Sequence, residues 1–121
     1  MKEDKNMLNT LFISKIINIV CNDIADNKTN IQVTELLIEE LSELIQAVVK
    51  LERWENGEST LRYNIDEIYN NLCEELADVI IMMLQFIHKN NIEHEELLNK
   101  MCKKLIQYYE TKTRIKLYNK V

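Results

Sequence analysis

The chain has 121 residues and a mass of 14.4 kDa, a length that favours one domain because two would each lack a sufficient core. Proline is absent and glycine occurs once, at Gly57, which excludes collagen-like chains and glycine-rich phosphate loops and argues against all-β folds. We therefore expect a single all-α domain over residues 1–121. The net charge of −5 has the wrong sign for binding a nucleic-acid backbone by bulk charge, so we expect no nucleic-acid partner.

The first two predicted helices cover about residues 7–24 and 31–55. In the first helix, apolar residues recur every four positions, and the polar residues 26–30 then break it with good capping side chains. In the second, apolar residues alternate in steps of four and three, which is typical of a bundle helix. This predicted core stripe consists of Leu37, Leu41, Leu44, Val48 and Leu51. The turn at Gly57 follows the second helix.

The third predicted helix begins near residue 65, with Asn64 as its N-cap, and ends at residues 90–91. Its predicted core stripe consists of Ile68, Leu72, Leu76, Val79, Met83 and Phe86. The fourth helix covers about residues 93–112. Short polar connections favour antiparallel neighbours, so we expect a four-helix bundle with long second and third helices. At roughly 37 Å each, these two helices are long for such a domain, and we expect part of their apolar surface to pack against another subunit.

The cysteines and the apolar runs indicate a cytoplasmic protein. The sequence contains three cysteines, Cys21, Cys73 and Cys102, and no two of them have CxxC spacing. Because their number is odd, we expect three reduced thiols. The charged start of the chain does not look like a secretory signal. The longest uninterrupted apolar run, residues 79–84, is much shorter than the ~18–20 residues that span a membrane. We therefore expect no membrane partner.

An internal repeat is the most informative feature of the sequence. Residues 37–44 (LIEELSEL) resemble residues 72–79 (LCEELADV) at an offset of 35 residues. On a helical wheel, two carboxylates of each copy fall on the same shoulder beside the core stripe. These four residues are Glu40, Glu43, Glu75 and Asp78. Glu39 lies further toward solvent.

Four carboxylates that converge at half-buried positions repel one another unless basic partners or a divalent cation compensate them. A single pair on one helix is usually a solvated face that pairs with lysines. Two pairs at matched angles on adjacent long helices instead favour a metal site. Oxygen ligands suit Mg²⁺, which keeps open positions for water and substrate phosphates, and Mn²⁺ is the natural substitute.

At these residues the sequence resembles the EExxE…ExxD signature of the all-α nucleoside triphosphate pyrophosphohydrolases. That group contains MazG-like proteins, dimeric dUTPases and phosphoribosyl-ATP pyrophosphohydrolases, and residues 74–79 are closest to the MazG-like form of the second motif. The resemblance covers about residues 31–104. It implies a helical bundle that forms a homodimer or homotetramer. It also implies hydrolysis of a (deoxy)nucleoside triphosphate between the α- and β-phosphates, to a nucleoside monophosphate and pyrophosphate.

The resemblance implies a role for each carboxylate. Glu40, Glu43, Glu75 and Asp78 would hold Mg²⁺. Glu39 would orient or deprotonate the attacking water, with Glu43 as the second catalytic residue, although Glu39 could equally be an ordinary exposed glutamate.

Three further residues are candidates for substrate contacts. The last helix of MazG-like proteins carries Lys-x-x-x-Asn, and the matching positions here are Lys100 and Lys104, which we expect to contact phosphate. Asn71, one turn before Glu75, could supply a polar contact instead of the missing asparagine. Residues 50–63 form either a lid or, with Trp54, a plug at the end of the bundle.

Two alternatives remain open from the sequence. A non-enzymatic oligomerisation or regulatory module would account for the amphipathic helices, but not for the matched carboxylate pairs. Within the family, a dUTPase-type or dCTPase-type enzyme is the near alternative, because the motifs do not specify the base.

Overall fold

The computed structural model describes residues 2–58 and 64–113. Over these residues the chain forms four helices and no strand, which confirms the predicted all-α class. The helices are α1 (Lys2–Asp26), α2 (Asn30–Glu55), α3 (Ile65–Lys89) and α4 (His94–Thr113). Helix α1 begins five residues earlier than we predicted, and the other helices begin and end within a residue or two of the prediction. Residues 59–63, which belong to the candidate lid segment, lie outside the described residues.

Side-chain caps fix where α2 and α3 begin. At α2, the Thr29 hydroxyl accepts a hydrogen bond from the Gln32 backbone N–H (3.1 Å), and the Gln32 side-chain oxygen accepts one from the Thr29 backbone N–H (2.9 Å). This reciprocal pair is a capping box. At α3, the Asn64 side-chain oxygen accepts from the Glu67 backbone N–H (2.9 Å), so the predicted N-cap is confirmed. The two helices that carry the acidic repeat therefore both start at defined residues.

The chain divides into two compact units, of which the first ends at Asn90 and the second contains α4. In the first unit, α3 packs against both α2 and α1. Two polar contacts join α3 to the end of α1 and the turn after it. His88 Nε2 lies 2.7 Å from Asp26 Oδ1, and Lys28 Nζ donates a hydrogen bond to Gln85 Oε1 at 3.1 Å.

The buried core of the first unit only partly follows the predicted stripes. Its buried apolar side chains are Cys21, Ala25, Val33, Ala47, Ile68, Val79 and Met82. The prediction is confirmed at Ile68 and Val79. It is wrong at Leu76 and Met83, which are 43% and 45% exposed in the single chain. Because α3 contacts two neighbours on different sides, its buried arc runs through residues 68, 79, 82 and 85 and not through one ideal stripe.

Much of the apolar surface of α1 remains exposed in the single chain. The exposed side chains are Met7, Leu11, Phe12, Ile13, Ile16, Ile17, Ile19, Val20 and Ile24. An apolar surface of this extent usually marks an interaction site.

The expectation that no apolar stretch reaches membrane length was wrong for α1. Its residues Lys5–Asp26 are long and apolar enough to cross a membrane by length and composition alone. The segment contains no long uninterrupted apolar run, because uncharged polar residues such as Asn9 and Asn18 interrupt it without adding charge. One such helix is weak support for a membrane span, because core helices of soluble proteins and N-terminal signal sequences pass the same test.

The capping box gives a direct test of this local structure. We expect Thr29→Ala to lower the free energy of unfolding by about 1 kcal/mol, because the Gln32 N–H loses its acceptor. Thr34→Ala is the matched control, since Thr34 is also exposed in the first turns of α2 but bonds only back to the Asn30 carbonyl. Urea unfolding measures both variants. An equal loss in both would contradict the capping role of Thr29.

Candidate metal centre

Three carboxylates of the acidic repeat meet between α2 and α3. Glu40 and Glu43 lie three positions apart on α2 and so share a face, and Glu75 reaches them from α3. One oxygen of each carboxylate lies within 4.8 Å of the corresponding oxygens of the other two. We call these three residues the carboxylate cluster. The structure thus brings together three of the four predicted metal ligands directly.

Two oxygens of the cluster are buried without a hydrogen-bond partner. They are Oε2 of Glu40 and Oε2 of Glu75. A carboxylate oxygen removed from water is costly unless a donor or a cation compensates it. The donor set of the cluster consists entirely of hard carboxylate oxygens, as Mg²⁺ and similar divalent cations prefer. The residues present therefore fit a hard divalent cation.

The electrostatics of the cluster also reflect uncompensated negative charge. Removal from water raises the pKa of Glu40, and the charges of Asp78 and Glu43 raise it further. Removal from water is likewise the largest cause of the raised pKa of Glu75. The negative charges of Glu43 and Asp78 raise this pKa further. The charge of Asp78 therefore acts on both half-buried carboxylates, although Asp78 is not one of the three residues of the cluster. Glu43 and Asp78 thus both raise the pKa of Glu40 and the pKa of Glu75.

Glu39, the predicted water-orienting residue, is exposed, as its position on the helical wheel predicted. It lines a cleft of about 400 Å³ beside the turn between α1 and α2. It is adjacent in sequence to Glu40, and its charge contributes to the raised pKa of Glu40.

Asn71 is half-buried one turn before Glu75 on α3. It lines a second cleft, of about 260 Å³, together with Lys50, Glu67 and Ile68. The Asn71 side chain is therefore accessible from this second cleft, which Glu39 does not line.

Lys100 and Lys104, the predicted phosphate contacts, are exposed on α4 in the second unit. Lys100 Nζ lies 3.3 Å from Glu96 Oε1, one turn earlier on the same helix. The two lysines line separate clefts on α4. Their phosphate role stays a prediction.

We did not predict Lys28 and Gln85 as functional candidates. Gln85 is 2% exposed and lies seven residues after Asp78, so it shares that face of α3. Its side-chain oxygen accepts the hydrogen bond from Lys28. A lone amide in the otherwise apolar run 79–87 was the available signal, since buried amides need partners.

A family model described as the MazG nucleotide pyrophosphohydrolase domain matches residues 28–111. The match includes the carboxylate cluster, Asp78 and all the predicted substrate contacts. Curated proteins and solved structures gave no significant match.

Replacing one carboxylate of the cluster should relieve repulsion in the metal-free protein. Because the pKa of Glu75 is raised in the folded chain, the folded state binds more protons than the unfolded state between the ordinary and the raised value. Its contribution to stability therefore falls as pH rises through that window. We expect Glu75→Gln to remove this slope and to stabilise the metal-free protein at neutral pH.

Urea unfolding with a chelator, from pH 4 to pH 8, measures this effect, and a second series with Mg²⁺ or Mn²⁺ measures cation binding. Added cation should stabilise the wild type and should not stabilise Glu75→Gln. Glu52→Gln, an exposed change on α2, is the control and should behave as wild type. Equal stabilisation of both variants by cation would show that the cluster is not the binding site.

Proposed function

The chain belongs to the MazG nucleotide pyrophosphohydrolase family, and from this premise we propose that it is a Mg²⁺-dependent nucleoside triphosphate pyrophosphohydrolase. It would hydrolyse a (deoxy)nucleoside triphosphate between the α- and β-phosphates, to a nucleoside monophosphate and pyrophosphate. The observation that best supports this proposal is the pair of buried, unpartnered oxygens on Glu40 and Glu75. A purely structural role for these helices does not require such oxygens.

The carboxylates have distinct roles in the proposed reaction. Glu40, Glu43 and Glu75 supply oxygen ligands, and the charge of the nearby Asp78 adds to the attraction for a cation. Bound Mg²⁺ supplies polarisation of the phosphate oxygens and neutralises the charge that develops on them. Without a cation the cluster would repel the anionic substrate.

The attacking water requires a base that is not occupied as a ligand. Glu39 is exposed next to the cluster and fills this role in our proposal, whereas Glu43 contributes to catalysis as a ligand of the cation. The Glu39 carboxylate accepts a proton as the water oxygen bonds to the α-phosphorus. The bond to the bridging oxygen breaks, and pyrophosphate leaves with that electron pair.

Contacts to the rest of the substrate are assigned by chemistry. We propose that Lys100 and Lys104 bind phosphate as point charges and that Asn71 makes a polar contact from its cleft.

We further propose that the working form is a homodimer or homotetramer, in which a second copy covers the exposed apolar side of α1. A cytoplasmic location without membrane or nucleic-acid partners is part of the same proposal. Three free cysteines fit a reducing compartment. Burial raises the pKa of the Cys21 thiol, which makes it unreactive.

The proposed reaction is tested by pyrophosphate release from a panel of ribo- and deoxynucleoside triphosphates with Mg²⁺. We expect turnover by the wild type and a loss of about 100-fold or more in kcat for Glu40→Gln and Asp78→Asn, since each removes negative charge that would hold the cation at the phosphates. Glu52→Gln should retain full activity. If the wild type releases no pyrophosphate and binds no cation, the non-enzymatic module is favoured. Equal activity of all variants would indicate a contaminating enzyme.

The proposed oligomer is tested by sedimentation equilibrium. We expect the wild type to be a dimer or tetramer at micromolar concentration. Ile16→Glu should shift it toward monomer, because a charge would be buried in the interface. Lys15→Glu introduces the same side chain at the neighbouring exposed position and should leave the oligomer intact. A monomeric wild type would contradict the proposal.

A further inference from the structure

The cleft that Glu39 lines has the position of a substrate subsite. We call it the turn cleft, and its lining residues are Asn27, Lys28, Gln32, Glu35, Leu36 and Glu39. The α2 members recur at intervals of three and four residues, so they form one stripe on that helix. The stripe leads from the turn after α1 toward the carboxylate cluster.

The length of the turn cleft matches the part of a nucleotide that lies beyond its α-phosphate. At 1.5 Å per residue, Glu35 lies about 7.5 Å from Glu40 along the α2 axis, and Gln32 lies about 12 Å from it. A nucleoside attached to a phosphate at the cluster would extend over this distance.

Two hydrogen-bond donors of the turn cleft are held in place before any ligand binds. Lys28 Nζ is anchored by Gln85, whose burial in the core fixes the acceptor oxygen. The Gln32 side-chain oxygen is engaged by the Thr29 N–H in the capping box, which leaves the amide nitrogen as a donor. Such preorganisation reduces the entropy lost on binding.

The charges of the turn cleft favour a base over a phosphate. Its charged side chains are one lysine and two glutamates, so the cleft carries a net negative charge and would repel phosphate. Leu36 offers an apolar surface to a ring. Glu35 is exposed and can only accept hydrogen bonds when ionised.

Bases differ in what they offer to such an acceptor. Cytosine, adenine and guanine carry exocyclic amino groups that donate hydrogen bonds, whereas thymine and uracil present carbonyl oxygens at those edges. A carboxylate therefore pairs with the amino group of the first three bases. In thymine and uracil the donor on this edge, N3–H, lies between two carbonyl oxygens that a carboxylate repels.

We propose that the turn cleft is the nucleoside subsite and that it selects bases with an exocyclic amino group. Glu35 accepts a hydrogen bond from that amino group, and Lys28 and Gln32 donate to ring nitrogen or carbonyl acceptors of the base. This inference rests on the proposed pyrophosphohydrolase function and deepens it by naming the substrate class. It favours a dCTPase-type preference over a dUTPase-type one.

The test uses binding of 2′-deoxynucleoside monophosphates in the presence of Mg²⁺, which needs no turnover. Isothermal titration of the full chain should show dCMP, dAMP and dGMP binding about tenfold or more tightly than dUMP. Glu35→Leu should abolish this preference. Glu52→Leu makes the same exchange on α2 outside the cleft and should keep it.

Two further variants separate the position of the Lys28 ammonium group from its charge. Gln85→Leu keeps Lys28 but removes its anchor, so affinity for the three amino-bearing bases should fall. Lys28→Met should cause at least as large a loss. Circular dichroism of each variant checks that the helices remain folded.

The outcomes distinguish this inference from the proposed function. Equal wild-type affinities for all four monophosphates, or a preference that survives Glu35→Leu, would overturn the subsite. Triphosphate hydrolysis with no base preference would overturn the subsite alone. Base-selective binding lost in Glu35→Leu, but without hydrolysis of any triphosphate, would support the subsite and count against the proposed reaction.

Discussion

The burial of like charges between α2 and α3 is the constraint on which the rest of the structure depends. Two carboxylate oxygens give up water there without gaining a donor, and their neighbours of the same charge increase the cost. The two capping groups, Thr29 and Asn64, and the packing of α3 on both neighbours compensate for this local destabilisation. Proteins commonly retain such costly arrangements at functional sites. The cost therefore indicates function more strongly than any apolar contact in the chain.

The site is organised along a line that follows α2. Negative charge is concentrated at the carboxylate cluster, and the turn cleft at one end mixes donors with acceptors. The cleft with Asn71 lies at the other end, toward the start of α3. An elongated anionic ligand suits this order, because its charged part can lie at a cation and its uncharged part in the mixed cleft.

Helical periodicity was sufficient to predict four helices and the convergence of Glu40, Glu43 and Glu75, because spacing along a helix determines which residues share a face. It was insufficient for the core. Met82 is buried in place of Met83, since burial depends on where α1 and α2 contact α3, and no pattern within α3 contains that information. Gln85 was missed for a related reason, as its partner Lys28 lies 57 residues away. The roles of Lys100 and Lys104 depend on the placement of α4, which local spacing does not determine.

The Lys28–Gln85 hydrogen bond has a mechanical consequence. Gln85 and Asp78 lie on one face of an uninterrupted helix, about 10 Å apart along its axis. Asp78 lies next to the carboxylate cluster, and Gln85 accepts the hydrogen bond from the Lys28 ammonium group of the turn cleft. Any rotation or sliding of α3 as the carboxylates draw together would therefore move Lys28 as well. If the turn cleft holds a base as proposed, a shift of α3 at the acidic end would therefore change the position of the Lys28 ammonium beside that base.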